Sequence, residues 1–213
     1  MASSVEGKGN EGANIEPKTG VSFPIKLGVD GHGTPLDLNG VGLRKKSIMG
    51  FGLKIYSFGI YADNNKLREQ VRSKFGEGVN EVTKEIFELV IDSDAPMMVR
   101  LVMVFGGLTM SLVRKSLDEG IGASIKKLTG QKHEELLNKL MGEVQGGLKL
   151  PTGSIIEISR LPGFVLQTKV KGEVVGKTES ELLCRAYFNM YLGEDPFDQD
   201  AKESFGKFLI SSF

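Results

Sequence analysis

The chain is 213 residues long, with 27 basic against 27 acidic side chains, a formal net charge of zero, 40% apolar and 25% charged residues, one Cys and no Trp. That is the make-up of one globular domain able to bury on the order of 70% of its unfolded surface, so its core needs no disulfide or metal. Charge balance argues against a nucleic-acid binder, which needs a basic surplus on one face; Cys184 alone excludes an internal disulfide and a cysteine metal cluster, and His32 and His133, far apart in sequence, make a poor zinc pair.

In chain order, Met1 to Gly20 carries scattered Gly, Asn and Ser with three acids and no apolar periodicity, and reads as a disordered, mobile tail before a single domain over 21–213. It has neither the apolar region of a secretory signal nor the Arg-rich, acid-poor make-up of a transit peptide; if the native protein enters an organelle, this chain is a processed or recombinant form.

VSFPIKLGV (21–29), LNGVGLRKKSIM (38–49) and GLKIYSFGIYA (52–62), with Gly-rich joints, read as consecutive antiparallel strands. In the third, alternation sends Leu53, Ile55, Ser57 and Gly59 to one face and Tyr56, Phe58 and Ile60 to the other, so both faces are expected to be covered. The Gly40/Gly42 and Gly50/Gly52 pairs lack the third Gly and the following helix of a dinucleotide fingerprint, and read as turns, bulges or close backbone approaches. Arg44 shares a strand face with Gly42 and Lys46. A guanidinium reaching into an apolar space demands an anion or a dense set of acceptors; the other reading is a solvated strand end, Arg44-Lys45-Lys46.

Leu67, Val71 and Phe75, then Val79, Val82, Ile86 and Leu89, recur at helical spacing until Pro96. MMVRLVMVFGGLTMSLV (97–113) is broken by Arg100 and Gly106-Gly107 and falls short of the roughly 20 apolar residues of a membrane span. It reads as a strand, Met98 to Phe105, a turn, and a long helix marked by Met110, Val113, Leu117, Ile121 and Leu128, with Asp118 and Glu119 as solvated charges. Leu136, Leu137, Leu140, Met141 and Val144 predict another helix, ended by Gly146-Gly147.

SIIEISR (154–160) and GFVLQTKV (163–170) read as strands, followed by a short return, KGEVVG (171–176). GEVVGKT (172–178) has one residue too few before its Gly-Lys pair to be a phosphate loop, whose length makes successive N–H groups converge. Thr178-Glu179-Ser180-Glu181 reads as a capping box opening the helix SELLCRAYFNMYLG (180–193), in which Cys184 is a small core residue. A short helix, 198–208, closes the chain. His32, in a GHGTP turn, and His133, near a helix start, are expected to face solvent and to form no Ser-His-Asp arrangement. Strands first, helices in the middle, hairpin and helices last is an α+β order.

Two of these stretches, GVGLRKKSIMGFGLKIYSFGIYAD (40–63) and SELLCRAYFNMYLGEDPFD (180–198), closely resemble the chalcone-isomerase-fold family, above all its plant fatty-acid-binding branch, over most of 21–208. The resemblance implies an open-faced β-sandwich, a large antiparallel sheet covered by a layer of helices, with a ligand cleft between them. Arg44 matches an Arg that isomerases and fatty-acid binders both place in that cleft. Tyr56 falls where isomerases have Thr and fatty-acid binders have Tyr. The isomerases' catalytic Tyr and Asn fall on Val113 and Gly120, neither of which can donate a proton or side-chain hydrogen bond. Thr178 falls near another polar isomerase position, although its capping role accounts for it equally.

What this implies is a non-catalytic carrier of free medium- to long-chain fatty acids, laurate to stearate in size, with no cofactor, metal, nucleic acid or membrane span. Arg44 would offer a planar, permanently charged fork to the carboxylate and Tyr56 a further hydrogen bond. Buried at about 0.8 kcal/mol per methylene, a tail of ~11 such units offers on the order of 9 kcal/mol gross, much of it offset by ordering. Val and Gly at 113 and 120 make the cleft roomier and more apolar; Val113, Leu117, Ile121, Phe58 and Met103 are tail contacts or ordinary core. The resemblance also implies the plastid stroma, an address this N-terminus does not show. Two rivals stand beside it: a chalcone isomerase, an intramolecular lyase, against which Val113 and Gly120 speak; and a catalytically inactive partner of a flavonoid-pathway enzyme, for which the sequence marks no docking surface and no particular protein partner.

Overall fold

The apolar runs from Val21 onward pair as strands in a computed structural model of the protein, which describes residues 12–48, 50–131, 136, 140 and 145–211. In chain order the strands are β1 (Ala13–Ile15), β2 (Ser22–Pro24), β3 (Lys26–Val29), β4 (His32–Ile48), β5 (Phe51–Ala62), β6 (Met97–Met103), β7 (Leu108–Thr109), β8 (Lys149–Leu150), β9 (Ile155–Leu161), β10 (Val165–Val170) and β11 (Glu173–Glu179). The described helices are α1 (Asn64–Phe75), α2 (Lys84–Asp92), α3 (Met110–Thr129), α4 (Glu181–Leu192) and α5 (Gln199–Ile210). Seven strands form one antiparallel sheet in the order β11-β10-β9-β6-β5-β4-β3, and the helices cover one face of it. This is the α+β, open-faced sandwich that the sequence predicts.

Both faces are covered because both carry apolar side chains. Phe58, Ile60, Leu101, Ile158 and Leu166 pack under the helices, while Tyr61, Leu38 and Met98 on the reverse face pack under Phe23 from β2. The long β4–β5 hairpin turns at Gly50, whose φ of +81° suits a residue without Cβ. Gly40 and Gly42 serve close approach instead: a Cβ at Gly40 would lie 2.5 Å from the Ala201 carbonyl oxygen, so α5 rests directly on the β4 backbone.

Several local expectations change. Residues 1–11 of the expected mobile tail lie outside the described residues, but the remainder is held: β1 pairs with β2, and Glu16 is 1% exposed. Its carboxylate accepts from the Lys18 backbone N–H (3.0 Å) and the Thr19 hydroxyl (2.5 Å), and Thr19 Oγ1 lies 2.6 Å from Ser57 Oγ on β5. A polar side chain on the outer sheet face thus gives the segment an anchor that periodicity could not reveal. His32 is not solvent-facing; its Nε2 lies 3.2 Å from Asp63 Oδ2, and Asp63 also caps α1 through the Lys66 N–H. Gly76 and Gly78 adopt positive φ and end the first helical run, and α2 begins only after Thr83; Val82, in the intervening segment, lies against Gly206 of α5.

On α3 the buried stripe runs Met110, Val113, Leu117, Ile121, Ser124 and Ile125, leaving Leu128 36% exposed. Of the following predicted helix, Leu136 and Leu140 are helical and Leu140 is buried; Leu137, Met141, Val144 and His133 lie outside the described residues. The short return after β10 is a full strand. β11 pairs with β10 as far as Glu179, keeping Thr178 extended opposite Leu166, so the cap of α4 is Ser180, whose Oγ accepts from Leu183 N–H at 3.2 Å. Cys184 is buried, as expected, and burial pushes its thiol up to about 12.

Arg160, the largest fully buried side chain, had no signature in the strand SIIEISR. Its guanidinium donates to the carbonyls of Ala95 (2.9 Å), Ile91 (2.9 Å) and Val90 (3.0 Å), at and just beyond the C-terminal end of α2, where helical carbonyls lack partners and the helix dipole is negative. Burial lowers its pKa to about 10. Among the described residues, no helix is long and apolar enough to cross a membrane.

Candidate functional site

Arg44 and Tyr56 are direct partners across the β4–β5 ladder, so their side chains leave the sheet on the same, helix-covered face. The register slips immediately after Arg44, a bulge that ends regular pairing where the hairpin runs on beyond β6. Tyr56 is 2% exposed, and its hydroxyl lies 3.3 Å from that of Tyr191 on α4. Arg44 is partly buried; its guanidinium carbon sits 3.6 Å above the centre of the Phe197 ring, in the loop joining α4 to α5. The solvated strand end is therefore realised only past Arg44: Lys45 is exposed, and Lys46 pairs with Glu119 of α3 at 3.1 Å.

An aromatic cluster surrounds this pair. Tyr191 packs edge-on against Phe58 (5.0 Å between centroids) and Phe197 (5.3 Å), and lies 5.4 Å from Tyr187, one helical turn earlier. Burial pushes the phenols of Tyr56, Tyr187 and Tyr191 well above their ordinary value, and the Arg44 charge pulls Tyr56 and Tyr191 the other way. Three neutral hydroxyls and one fixed cation occupy a common region of low polarity.

From Arg44 a cleft of about 340 Å³ runs along α3 to Lys127, walled by Gly120, Ser124, Asn189, Met190 and Phe197. Asn189 Nδ2 donates to Ser124 Oγ at 2.7 Å, closing the floor. Gly120 borders this cleft, as the sequence anticipated, but the room it leaves is occupied: a Cβ there would meet Met190 Sδ at 2.5 Å and Phe197 Cζ at 3.3 Å. Val113, two turns earlier on α3, is 2% exposed and packs in the main core with Leu117, Ile121, Phe58 and Met103, without bordering the cleft. Thr178 shares the helix-covered face but sits on outermost β11, with β10, β9 and β6 between it and β5; the fold does not bring it beside Arg44.

Asp118 departs from its expected solvated state. One carboxylate oxygen is buried with no hydrogen-bond partner among the described residues, and burial raises its pKa against the pull of Arg114. Sequence reasoning also missed Tyr187, Tyr191, Met190 and Phe197. The available signal was the spacing of Tyr187 and Tyr191, four apart on a helix whose buried face is otherwise apolar.

Residues 16–205 match the family model described as chalcone isomerase-like. The chain is 48% identical over 207 residues to chalcone isomerase-like protein 1 of Humulus lupulus, covering 96% of this chain and 94% of that protein. It is 36% identical over 195 residues to fatty-acid-binding protein 1 of Arabidopsis thaliana, covering 90% and 68% respectively. The fold superposes on the crystal structure of an Arabidopsis thaliana fatty-acid binding protein with a TM-score of 0.84 at 35% identity, over 94% of this chain and 98% of that one.

Proposed function

This chain belongs to the chalcone isomerase-like family, and from that premise we propose that it binds and carries free medium- to long-chain fatty acids without transforming them. The observation that carries this reading is the Arg44 cation bordering a cleft and paired across the β4–β5 ladder with the buried Tyr56, whose hydroxyl lies 3.3 Å from that of Tyr191. The guanidinium has donors and no acceptor, each phenol has one proton to donate, and a carboxylate is the acceptor of matching charge and shape for such a pair. Glu119 and Asp195 also border the cleft, and the head group is placed at the Arg44 end, away from them.

The cleft volume stands at the lower end of the roughly 300–1,000 Å³ of ligand pockets. Its wall beside Gly120 is a Met thioether, whose unbranched side chain repacks at small cost. In the proposed complex the carboxylate bridges Arg44 and Tyr56, and the tail enters alongside α3 as Met190 swings aside. Val113 contributes by keeping the core beneath the cleft apolar, while Thr178 remains a strand residue outside the ligand's reach.

Ring closure of a chalcone calls for groups that hold a phenolate and polarise a ketone. Val113 and Gly120 offer neither, which supports a binding rather than a catalytic role. The decisive experiment is calorimetric titration with laurate. Wild type is expected to bind one laurate, and Arg44→Ala to lose that binding while keeping its thermal transition; equal affinity in both would sink the anchor. A chalcone absorbance assay, expected to show only the spontaneous rate, tests the catalytic alternative.

A further inference from the structure

The β4–β5 hairpin runs on past the sheet. β6 stops pairing with β5 at Tyr56, and β3 pairs with β4 only between His32 and Asp37, so from Lys45 to Lys54 the two strands have only each other in the ladder. The ribbon is rooted by Leu53, which packs against the core, and by Lys46, paired with Glu119 of α3 at 3.1 Å. At its tip, beside the turn at Gly50, Phe51 is 79% exposed, the most exposed large apolar side chain among the described residues.

Charge is gathered at the same place. The whole chain is neutral, yet residues 44–54 carry Arg44, Lys45, Lys46 and Lys54 and no acid. Lys45 and Lys54 are direct partners across the ladder, two like charges whose repulsion opposes the pairing. Lys54 donates to the Lys18 carbonyl at 2.7 Å, while Lys45 is exposed and forms no ion pair among the described residues. The chain leaving β6 adds no acid at the ribbon's root: the Phe105 N–H donates to the Ile55 carbonyl at 3.3 Å, and from Phe105 to Leu117 the charged residues are Arg114 and Lys115. Phe105 and Leu112 in that stretch are themselves exposed.

Shape decides among anionic partners. A nucleic acid strand is held in a basic groove and a protein against a patch of roughly 800 Å², whereas this is a narrow, convex ribbon with an apolar tip. Three residues separate Phe51 from Lys54, about 10 Å of strand. Interfacial elements bury apolar side chains about 5–10 Å into the boundary between lipid head groups and acyl chains. With Phe51 at that depth the lysines stand level with the phosphates, their methylene stems along the apolar layer.

We propose that the tip of the β4–β5 hairpin docks the protein on an anionic bilayer surface, Phe51 entering the acyl boundary and Lys45 and Lys54 meeting head-group phosphates. The docking goes beyond fatty-acid binding and does not depend on it. It also sets Arg44, one residue inward from Lys45, close to the lipid.

The test is sedimentation of the ligand-free chain with vesicles of phosphatidylcholine alone or mixed equally with phosphatidylglycerol, in wild type, Phe51→Ser and Lys45→Glu, with the thermal midpoint of each. Wild type is expected to sediment with the mixed vesicles and to stay in solution with phosphatidylcholine. One charge near an anionic surface changes partition about fivefold, so Lys45→Glu, which reverses a charge, is expected to weaken it about twenty-fivefold and Phe51→Ser about tenfold. Neither variant is expected to melt below wild type, since Phe51 is exposed and Lys45→Glu faces Lys54. The chain has no Trp, so Phe51→Trp places a single indole at the tip; its emission is expected to shift to the blue on mixed vesicles and to be quenched by brominated acyl chains. Wild type that stays in solution with mixed vesicles overturns the proposal. So does loss through Lys45→Glu with Phe51→Ser unchanged and no blue shift, which marks adsorption by charge alone. Tighter binding to a single-stranded oligonucleotide than to vesicles overturns it in favour of a nucleic-acid partner. Failure to bind laurate bears on the fatty-acid reading and leaves the vesicle result as it stands.

Discussion

The Arg44 guanidinium carbon lies over the Phe197 ring, 3.6 Å from its centre, so the cation at the cleft head is held by a residue of the α4–α5 loop and not by a carboxylate. An ion pair at this position would neutralise the charge a ligand carboxylate needs. An aromatic face orients it and leaves its N–H fork free. Phe197→Leu keeps much of the apolar contact and removes the ring quadrupole, worth about 1 kcal/mol at a partly exposed site. Laurate affinity is expected to fall about fivefold with little change in thermal midpoint. Calorimetry beside a melting curve checks both, and an unchanged affinity would show that Arg44 is positioned by the sheet alone.

In the proposed complex, Gly120 is where the tail and the protein compete. Alanine there gains about 1 kcal/mol of helix propensity but brings its Cβ against Met190 Sδ, an overpacking that costs roughly 1–3 kcal/mol where nothing yields. Met190 can yield, at the expense of cleft volume. Gly120→Ala is therefore expected to stay within about 1 kcal/mol of wild type in urea unfolding while laurate binding drops severalfold. Equal binding would mean that the tail takes another route.

Arg160 supports the fold and not the ligand. It meets three carbonyls at the end of α2, and no described carboxylate lies within ion-pair distance of it. Replacing it by Met leaves those carbonyls unpaired in the core, at an expected cost of roughly 3–5 kcal/mol. Urea titration measures that loss. The surviving folded fraction should bind laurate as wild type does, because Arg160 lies on β9, separated from β4 by β6 and β5.

What the sequence could reveal followed from period and punctuation. Period two in 52–62 and period three to four in 110–125 produced β5 and α3, and those elements carry Tyr56 and Gly120. Arg44 was legible only as a cation either on a covered face or at a solvated strand end, and the family resemblance alone placed it in a cleft. The rest depended on long-range partners. Nothing local distinguishes Arg160 from a solvated strand Arg; its partners lie about sixty to seventy residues away in α2 and just beyond it. Thr178 matched a capping pattern, yet the β10 ladder held it extended and gave the cap to Ser180. Phe197 sits in a loop without periodicity, and its role appears only once α4 brings it over β4.

The same loop is fastened at its other end by charge. Glu194 bonds Lys84 of α2 at 2.7 Å and Lys127 of α3 at 3.0 Å, and Lys127 also reaches Asp195 at 3.1 Å. The two lysines hold the Glu194 carboxyl down to about 2 from an ordinary 4.5. A carboxylate depressed on folding contributes stability above its unfolded value and loses it as pH falls through the folded one, here between about 4.5 and 2. Glu194→Gln is thus expected to be slightly less stable than wild type near neutral pH and to converge with it across that acid window. High salt should narrow the gap at neutral pH, since these side chains face solvent. Urea midpoints from pH 7 to 2, in low and high salt, check this. Parallel curves with a constant gap would show that the substitution acts through loop packing and that the lysine clamp contributes nothing.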